Sequence, residues 1–265
     1  MLAAERQDAI LRALRSEGSV RVADLADELA VSEMTVRRDL DTLDAQQLLR
    51  KVHGGAVSRH NRGEEPRSAQ KAGQQQVEKA AIAATAAATI TDGMTIAIGA
   101  GTTTTELARQ LRGRPSITVV TNSVNVFREL TDPLTNGADG SVTPLVYLSG
   151  GVRTPSDALV GPVADAAIAS FRVDATYLGV HGVDPDAGLT SPNVAEAQTN
   201  RTLIEIGGRL VVLADHTKYR EVGACVFARL DQVQTLISDD GLTAADRELL
   251  DSRVGDLVIA QVRTR

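Results

Sequence analysis

The 265-residue sequence predicts two folded parts in series: a small helical head closed by a β-hairpin, then a larger α/β part on a mostly parallel sheet. Two observations predict it. Over residues 1–58, apolar residues recur at helical spacing and then give way to two short β-prone runs around Gly54-Gly55. From Met94 onward, strand-like runs alternate with helix-like ones, the pattern of a sheet covered on both faces.

In the head, Ala9, Ile10, Leu11 and Leu14 define a first helix ending near Gly18, and Val22, Leu25, Ala26 and Leu29 define a second. Ala30-Val31-Ser32 is a connection of the length a helix-turn-helix needs. Ser32 suits the N-cap of a third helix, whose Val36, Leu40 and Leu43 form one buried stripe. Thr35, Arg37, Arg38, Asp41 and Thr42 point away from that stripe. By itself this is also what an amphipathic helix with solvated charges looks like. Its surroundings favour a recognition helix for double-stranded DNA, where Arg pairs with guanine in the major groove and Thr contacts base edges or phosphates. The hairpin that follows carries Arg50, Lys51 and His53, and a basic hairpin in that place is a wing that grips phosphates beside the groove. Residues 1–58 thus read as a winged helix-turn-helix domain with Ser32, Thr35, Arg37, Arg38, Arg50, Lys51 and His53 as candidate DNA contacts.

A net charge of −6 is unusual for a DNA-binding chain, but it is unevenly placed. Residues 1–62 hold ten of the 28 Lys/Arg and ten of the 34 Asp/Glu, so the acid excess lies entirely beyond them. Residues 45–62 carry Arg50, Lys51, Arg59 and Arg62 and no acid, which makes the positive potential local to the wing side. With few phosphate contacts per head, tight binding calls for at least two heads, hence a homo-oligomer, dimer or tetramer.

Residues 59–76 are polar and read as a linker, followed by the α/β part over 77–265. Its strands are expected at Met94–Ile98, Ile117–Thr121, Leu145–Leu148, Ala175–Val180, Leu210–Ala214, Thr235–Ser238 and Leu257–Val262. Helices are expected at Lys79–Thr89, Thr103–Leu111, Val163–Phe171, Ala195–Gly207 and Ala244–Asp251. Hydrophobic content of 43% supports a sizeable core, and with 2% aromatics and no Trp that core is Ala, Val, Leu and Ile.

Sites in such sheets lie at the carboxyl ends of strands. Ile98-Gly99-Ala100-Gly101-Thr102-Thr103 joins a strand to a helix through glycines, and the helix-start amides with neighbouring hydroxyls suit a phosphate. A tight Thr-capped turn is the plainer reading of the same residues. No Gly-Lys-Ser/Thr follows, and a third glycine is missing, so neither a nucleotide-triphosphate loop nor a dinucleotide fingerprint is present. Asn122, after another strand, can donate to a hydroxyl; Gly150-Gly151-Val152-Arg153 places a cation within reach of an anion. Asp215 and Lys218, past a buried strand, suit a sugar hydroxyl and a phosphate.

Glu5-Arg6, the run from Val31-Ser32 through Thr35-Val36-Arg37-Arg38-Asp39-Leu40, and Val52-His53-Gly54-Gly55-Ala56 together resemble the DeoR/GlpR-type bacterial transcriptional regulators. Gln46-Gln47 departs from that pattern, which usually has a Gly before the Leu-Leu pair, so the way into the wing differs. The second part looks like the effector domain of the same family in Gly99-x-Gly101-Thr102-Thr103, Thr121-Asn122-Ser123, Gly150-Gly151, Gly179-x-x-Gly182, Gly188-Leu189-Thr190, Glu196-Ala197 and Ala214-Asp215-x-x-Lys218. That domain is similar in fold to ribose-5-phosphate isomerase. The resemblance implies a phosphorylated sugar or sugar-like effector, with Gly101, Thr102, Thr103 and Lys218 at its phosphate and Asn122, Glu196 and Asp215 at its hydroxyls. Residues 135–141 look like an inserted surface loop without an assigned role.

The rival reading is an active sugar-phosphate isomerase with a DNA-binding head. Such isomerases use an Asp-Gly-Ala-Asp segment near a Lys and a Glu base. Here the stretch is His181-Gly182-Val183-Asp184, with no Lys before Glu196, so the helpers that proton abstraction needs are missing. There is no Gly-x-Ser-x-Gly elbow either. The one cysteine, Cys225, excludes an intramolecular disulfide and reads as a buried small hydrophobe. The four histidines show no metal-ligand spacing, so no metal or cofactor is expected, although His181 can face an effector. No apolar run approaches the ~18 residues of a membrane span, and no signal-peptide core opens the chain, so a cytoplasmic protein with no membrane partner is expected.

Overall fold

The structure, a computed structural model, describes residues 2–17, 19–46, 48–52, 54–57, 68–132 and 143–262. The chain forms two compact units, Met1–Glu64 and Glu65–Arg265.

The first unit contains α1 (Ala3–Glu17), β1 (Ser19–Arg21), α2 (Val22–Glu28), α3 (Glu33–Ala45), β2 (Arg50–Val52) and β3 (Gly55–Val57). The expected helical stripes converge: Ile10, Leu14, Leu25, Val36, Leu40, Leu43 and Leu49 are buried in one cluster. The wing is a three-stranded antiparallel sheet in the order β1-β3-β2, one strand more than the hairpin read from sequence. Both wing glycines have a steric cause. Gly54 sits at φ 81°, where a side chain is strained. A Cβ on Gly55 would lie 2.0 Å from the Val20 carbonyl oxygen of β1.

The second unit opens with α4 (Ser68–Ala72) and α5 (Gln76–Ala87), then β4 (Thr95–Ile98), α6 (Thr102–Gln110), β5 (Thr118–Thr121), α7 (Val124–Thr131) and β6 (Leu145–Leu148). There follow β7 (Val152–Arg153), β8 (Leu159–Val160), α8 (Pro162–Ala169), β9 (Ala175–Gly179), β10 (Gly182–Asp184), β11 (Gly188–Ser191) and α9 (Val194–Ile206). The unit ends with β12 (Leu210–Leu213), β13 (Cys225–Ala228), β14 (Thr235–Asp239), α10 (Ala244–Asp251) and β15 (Leu257–Ala260). The seven strands read from sequence are the seven of the main sheet, ordered β15-β14-β12-β9-β4-β5-β6 and parallel throughout.

Alternate residues of each strand serve opposite faces. Ile96, Ile98, Val211 and Leu213 pack with Ile82, Ala86, Leu107 and Val126 of α5, α6 and α7. Ala97, Leu178, Leu210 and Val212 pack with Ile168 of α8 and Ala197, Leu203 and Ile206 of α9. A small antiparallel sheet, β10-β11-β13, adds Val183, Leu189 and Phe227 to that second cluster. Cys225, expected to be buried, is only half-buried at the start of β13, while Phe227 two residues on is buried.

The chain runs outward from β4 through β5 to β6, then returns to lay β9 on the other side of β4 and proceeds outward again. The point where the strand order reverses therefore lies between β4 and β9. Their carboxyl ends, Gly99-Ala100-Gly101 and Gly179, approach closely: a Cβ on Gly179 would stand 3.8 Å from the Ala100 carbonyl oxygen. This is where an open parallel sheet offers a crevice.

Candidate functional site

The first candidate surface is the outward face of α3. Ser32 caps the helix, accepting from the Thr35 amide at 3.2 Å, and its hydroxyl also meets the Thr35 hydroxyl at 2.9 Å. Arg37 and Arg38 are both exposed, as the stripe required. Their states differ: Arg37 pairs with Glu33 one turn back at 2.9 Å, whereas Arg38 has no ion-pair partner among the described residues. Lys51 of the wing reaches to Asp41 of α3, so its ammonium joins wing to helix before it meets any phosphate. The Arg50 backbone lies in β2, and His53 and Gln47 lie outside the described residues.

Sequence reading gave Asp39 no role. It is 4% exposed and receives Nε and Nη2 of Arg6, the latter at 3.1 Å, together with Gln7 Nε2 at 3.2 Å. This clamp ties α1 to the recognition helix from beneath.

The second candidate is a pocket at the reversal point, lined by Gly101, Thr102, Thr103, His181, Glu196 and Lys218 among others. Gly101 caps α6, and the hydroxyls of Thr104 and Thr105 turn back to its carbonyl at 3.0 and 2.7 Å. The side chains of Thr102 and Thr103 line the pocket, beside the first amides of α6, which have no carbonyl partner within the helix. Across the pocket, Glu196 stands in the first turn of α9. Its carboxylate accepts the hydroxyls of Thr154 (2.9 Å), Ser156 and Ser191 (3.4 Å). The pocket thus carries anion-binding groups from α6 and Lys218, and an oriented carboxylate from α9, a suitable acceptor for sugar hydroxyls.

Four expected ligand residues are not on the lining. Asn122 is buried beneath the loop, and both ends of its amide are used: Oδ1 accepts the Ala100 amide at 3.2 Å and Nδ2 donates to the Leu159 carbonyl at 3.2 Å. It shapes the glycine turn. Gly151 packs against Val160, whose oxygen would stand 2.7 Å from a Cβ. Arg153 is exposed and held by Asp157, with Nε to Oδ1 at 2.7 Å. Asp215 is buried and caps the short 3-10 turn His216–Lys218 by accepting the Thr217 amide at 3.1 Å, which positions Lys218. Asn122, Gly151 and Asp215 face the scaffold, whereas Arg153 lies at the surface with Asp157. Asp184, compared above with an isomerase acid, accepts the amides of Asp186 and Ala187 at 3.0 and 2.8 Å and shapes the β10–β11 turn.

Sequence reasoning missed Ser68, Lys71, Ser156, Ser191 and Asn200, which also line the pocket. Ser68 and Lys71 stand in the stretch read as linker; no periodic signal marks a five-residue helix such as α4. Behind them lies Lys79, 4% exposed, whose ammonium donates to the carbonyls of Lys71 (2.7 Å) and Gln74 (2.6 Å). Burial pushes its pKa below the usual lysine value, while the nearby Asp215 carboxylate opposes that shift and the Lys218 ammonium adds to it.

Both units match established sequence families. Residues 6–62 match the DeoR-like helix-turn-helix domain, and residues 74–240 match the DeoR C-terminal sensor domain. The chain belongs to the DeoR family of DNA-binding transcriptional regulators, and is a regulator rather than an enzyme. It is 35% identical to the HTH-type transcriptional regulator GlpR of Haloferax volcanii over 95% of this chain and 96% of that one. It is 32% identical to the lactose phosphotransferase system repressor of Staphylococcus aureus over 89% of this chain and 91% of that one. Among solved structures, ribose 5-phosphate isomerase A of Methanocaldococcus jannaschii aligns over 55% of this chain and 54% of that one, at 16% identity and a TM-score of 0.38. No helix among the described residues is long and apolar enough to cross a membrane.

Proposed function

We propose that this protein is a cytoplasmic repressor of a carbohydrate-metabolism operon that leaves its operator when a phosphorylated sugar binds the second unit. The observation that carries the reading is the pocket between β4 and β9, with helix-start amides and Lys218 for a phosphate and the hydroxyl-held Glu196 for a sugar. Relatives named as repressors, one of them a lactose phosphotransferase system repressor, support the direction of control and the ligand class. In the head, Ser32, Thr35, Arg37, Arg38, Arg50, Lys51 and His53 form the operator-facing set, with α3 in the major groove and the wing on the backbone. Residues 1–58 bind DNA, and the second unit, residues 77–265 together with Ser68 and Lys71 of the preceding stretch, binds effector and assembles into a dimer or tetramer. Ligand shifts operator affinity by its differential affinity for the two states.

The test has two stages. Thermal unfolding is measured with inorganic phosphate, glycerol 3-phosphate, ribose 5-phosphate and glucose 6-phosphate, since a ligand of the native state raises Tm by mass action. The ligand with the largest shift is then titrated into the protein bound to a duplex selected from a random pool. Release of the duplex supports the reading; no shift with any phosphorylated compound, alongside a shift with an unphosphorylated sugar, overturns the phosphate assignment.

A further inference from the structure

Helix α4 is the first element of the second unit, and in chain order it follows the wing. It lies across the pocket just described. Ser68 and Lys71 line that pocket, and α4 packs against α6, whose first turn forms the anion-binding end. Both ends of α4 are fastened. At its start, the Ser68 amide donates to the Pro155 carbonyl at 3.1 Å, and Asn125 Nδ2 donates to the Ser68 hydroxyl at 3.3 Å while holding Asp157 at 3.1 Å. At its end, the buried Lys79 ammonium holds the Lys71 and Gln74 carbonyls, and Gln76 Nε2 donates to the Ala72 carbonyl at 3.3 Å.

The charge balance of the pocket gives α4 a purpose. A phosphate monoester is close to a dianion near neutral pH. Lys218 and the α6 amides supply one full positive charge and part of another. Lys71 is the other lysine on the lining, and among the described lining residues it and Ser68 come first in chain order after the DNA-binding head. Glu196 is the one carboxylate on the lining, and hydroxyls of Thr154, Ser156 and Ser191 hold it.

We infer that Lys71 is an effector-binding residue, and that α4 is the element through which pocket occupancy reaches the head. This rests on the phosphorylated-ligand reading above. Binding draws Lys71 onto the phosphate, and α4 moves with it. Lys79 is a positioning residue that fixes the carbonyl end of α4 so that the Lys71 side chain is presented to the pocket.

The experiment compares full-length wild type, Lys71→Ala, Lys71→Arg and Lys218→Ala. Each is titrated calorimetrically with inorganic phosphate and with the best sugar phosphate of the panel, and each is assayed for duplex release at saturating ligand. Lys71→Ala weakens binding by about ten-fold, the equivalent of one charge-assisted hydrogen bond. At saturation it releases less than half the duplex that wild type does, and Lys71→Arg restores both properties. Lys218→Ala also weakens binding yet reaches full release once saturated. Wild-type affinity in Lys71→Ala, or full release from it at saturation, overturns the inference while Lys218→Ala keeps the pocket reading alive. If wild type itself binds no phosphorylated ligand, the pocket reading falls and takes this one with it.

Discussion

Arg6 of the first helix and Asp39 of α3 form a two-pronged ion pair, with Nη2 to Oδ1 at 3.1 Å and Nε on Oδ2, and Asp39 is buried beneath the face proposed to meet DNA. The adjacent Arg38 points outward, so neighbouring residues of one motif divide between presentation and support. Replacing Asp39 by Asn leaves the DNA-facing side chains intact but loosens the helix that carries them. Operator affinity is expected to fall about ten-fold, as for one lost charge-assisted contact, with phosphate binding by the second unit unchanged. A fluorescence anisotropy titration with operator duplex checks this, and unaltered affinity refutes the bracing role.

Arg37 and Arg38 are not equivalent. Arg38 carries no ion pair among the described residues, whereas Arg37 must first leave Glu33. Arg38→Ala is expected to cost roughly 1–3 kcal/mol of specific binding and to relax base preference at one position. Arg37→Ala costs less, and Glu33→Ala strengthens binding slightly. The duplex affinities of the three variants, measured at one fixed salt concentration, decide it; equal losses for both arginines contradict the ranking.

Gly151 answers to packing. At φ 115°, with a Cβ that would meet the Val160 oxygen at 2.7 Å and the Ala164 Cβ at 3.0 Å, Gly151→Ala strains the β7–β8 hairpin. A loss of about 1–3 kcal/mol is expected, read as a Tm drop of several degrees, while ligand affinity measured well below that Tm stays near wild type. A variant with normal Tm and lost affinity returns Gly151 to the binding set.

His216 gives the second unit a pH dependence. Its ring nitrogen meets Asp239 at 2.6 Å, and this bond raises its pKa above the ordinary 6.5 although burial opposes it. Burial also pushes the Asp239 carboxyl up, but the bonds from the His216 ring and amide outweigh it and hold that pKa below 3.8. The histidine contribution is therefore complete below pH 6.5 and lost as pH rises through its raised folded value, whereas the aspartate contribution is lost only in acid, below 3.8. Scans of Tm from about pH 5.5 to about 9 are expected to show a decline in wild type that His216→Asn flattens. Parallel curves for the two proteins end this account.

Much of this was legible in the sequence, for reasons that particular residues show. The seven sheet strands were found because their short apolar runs are bounded by turn residues, and Ile96, Val119 and Val211 are buried as those runs require. The wing's third strand, Ser19-Val20-Arg21, was not, since three residues carry no period and Val20 gains its place only by pairing with Ala56. The small sheet β10-β11-β13 escaped for a related reason: each strand is short, and although β10 and β11 form a tight hairpin, β13 joins β11 from far along the chain. In the site, glycine and threonine at a strand end marked a loop that lines the pocket because local chemistry suffices there. Orientation was not legible: Asn122 and Asp215 are polar residues at the right strand ends, but their hydrogen bonds run to the scaffold.

The pairing of β4 with β9 sets an order of events during synthesis. Ile96 lies beside Ala175, and the pocket needs residues as late as Lys218 and Phe227, whereas the head is complete by Glu64. At ~5–20 residues per second a ribosome finishes the head many seconds before any pocket can close. Each newborn chain therefore completes its head before its pocket residues have all been made, and only a finished chain offers a whole pocket.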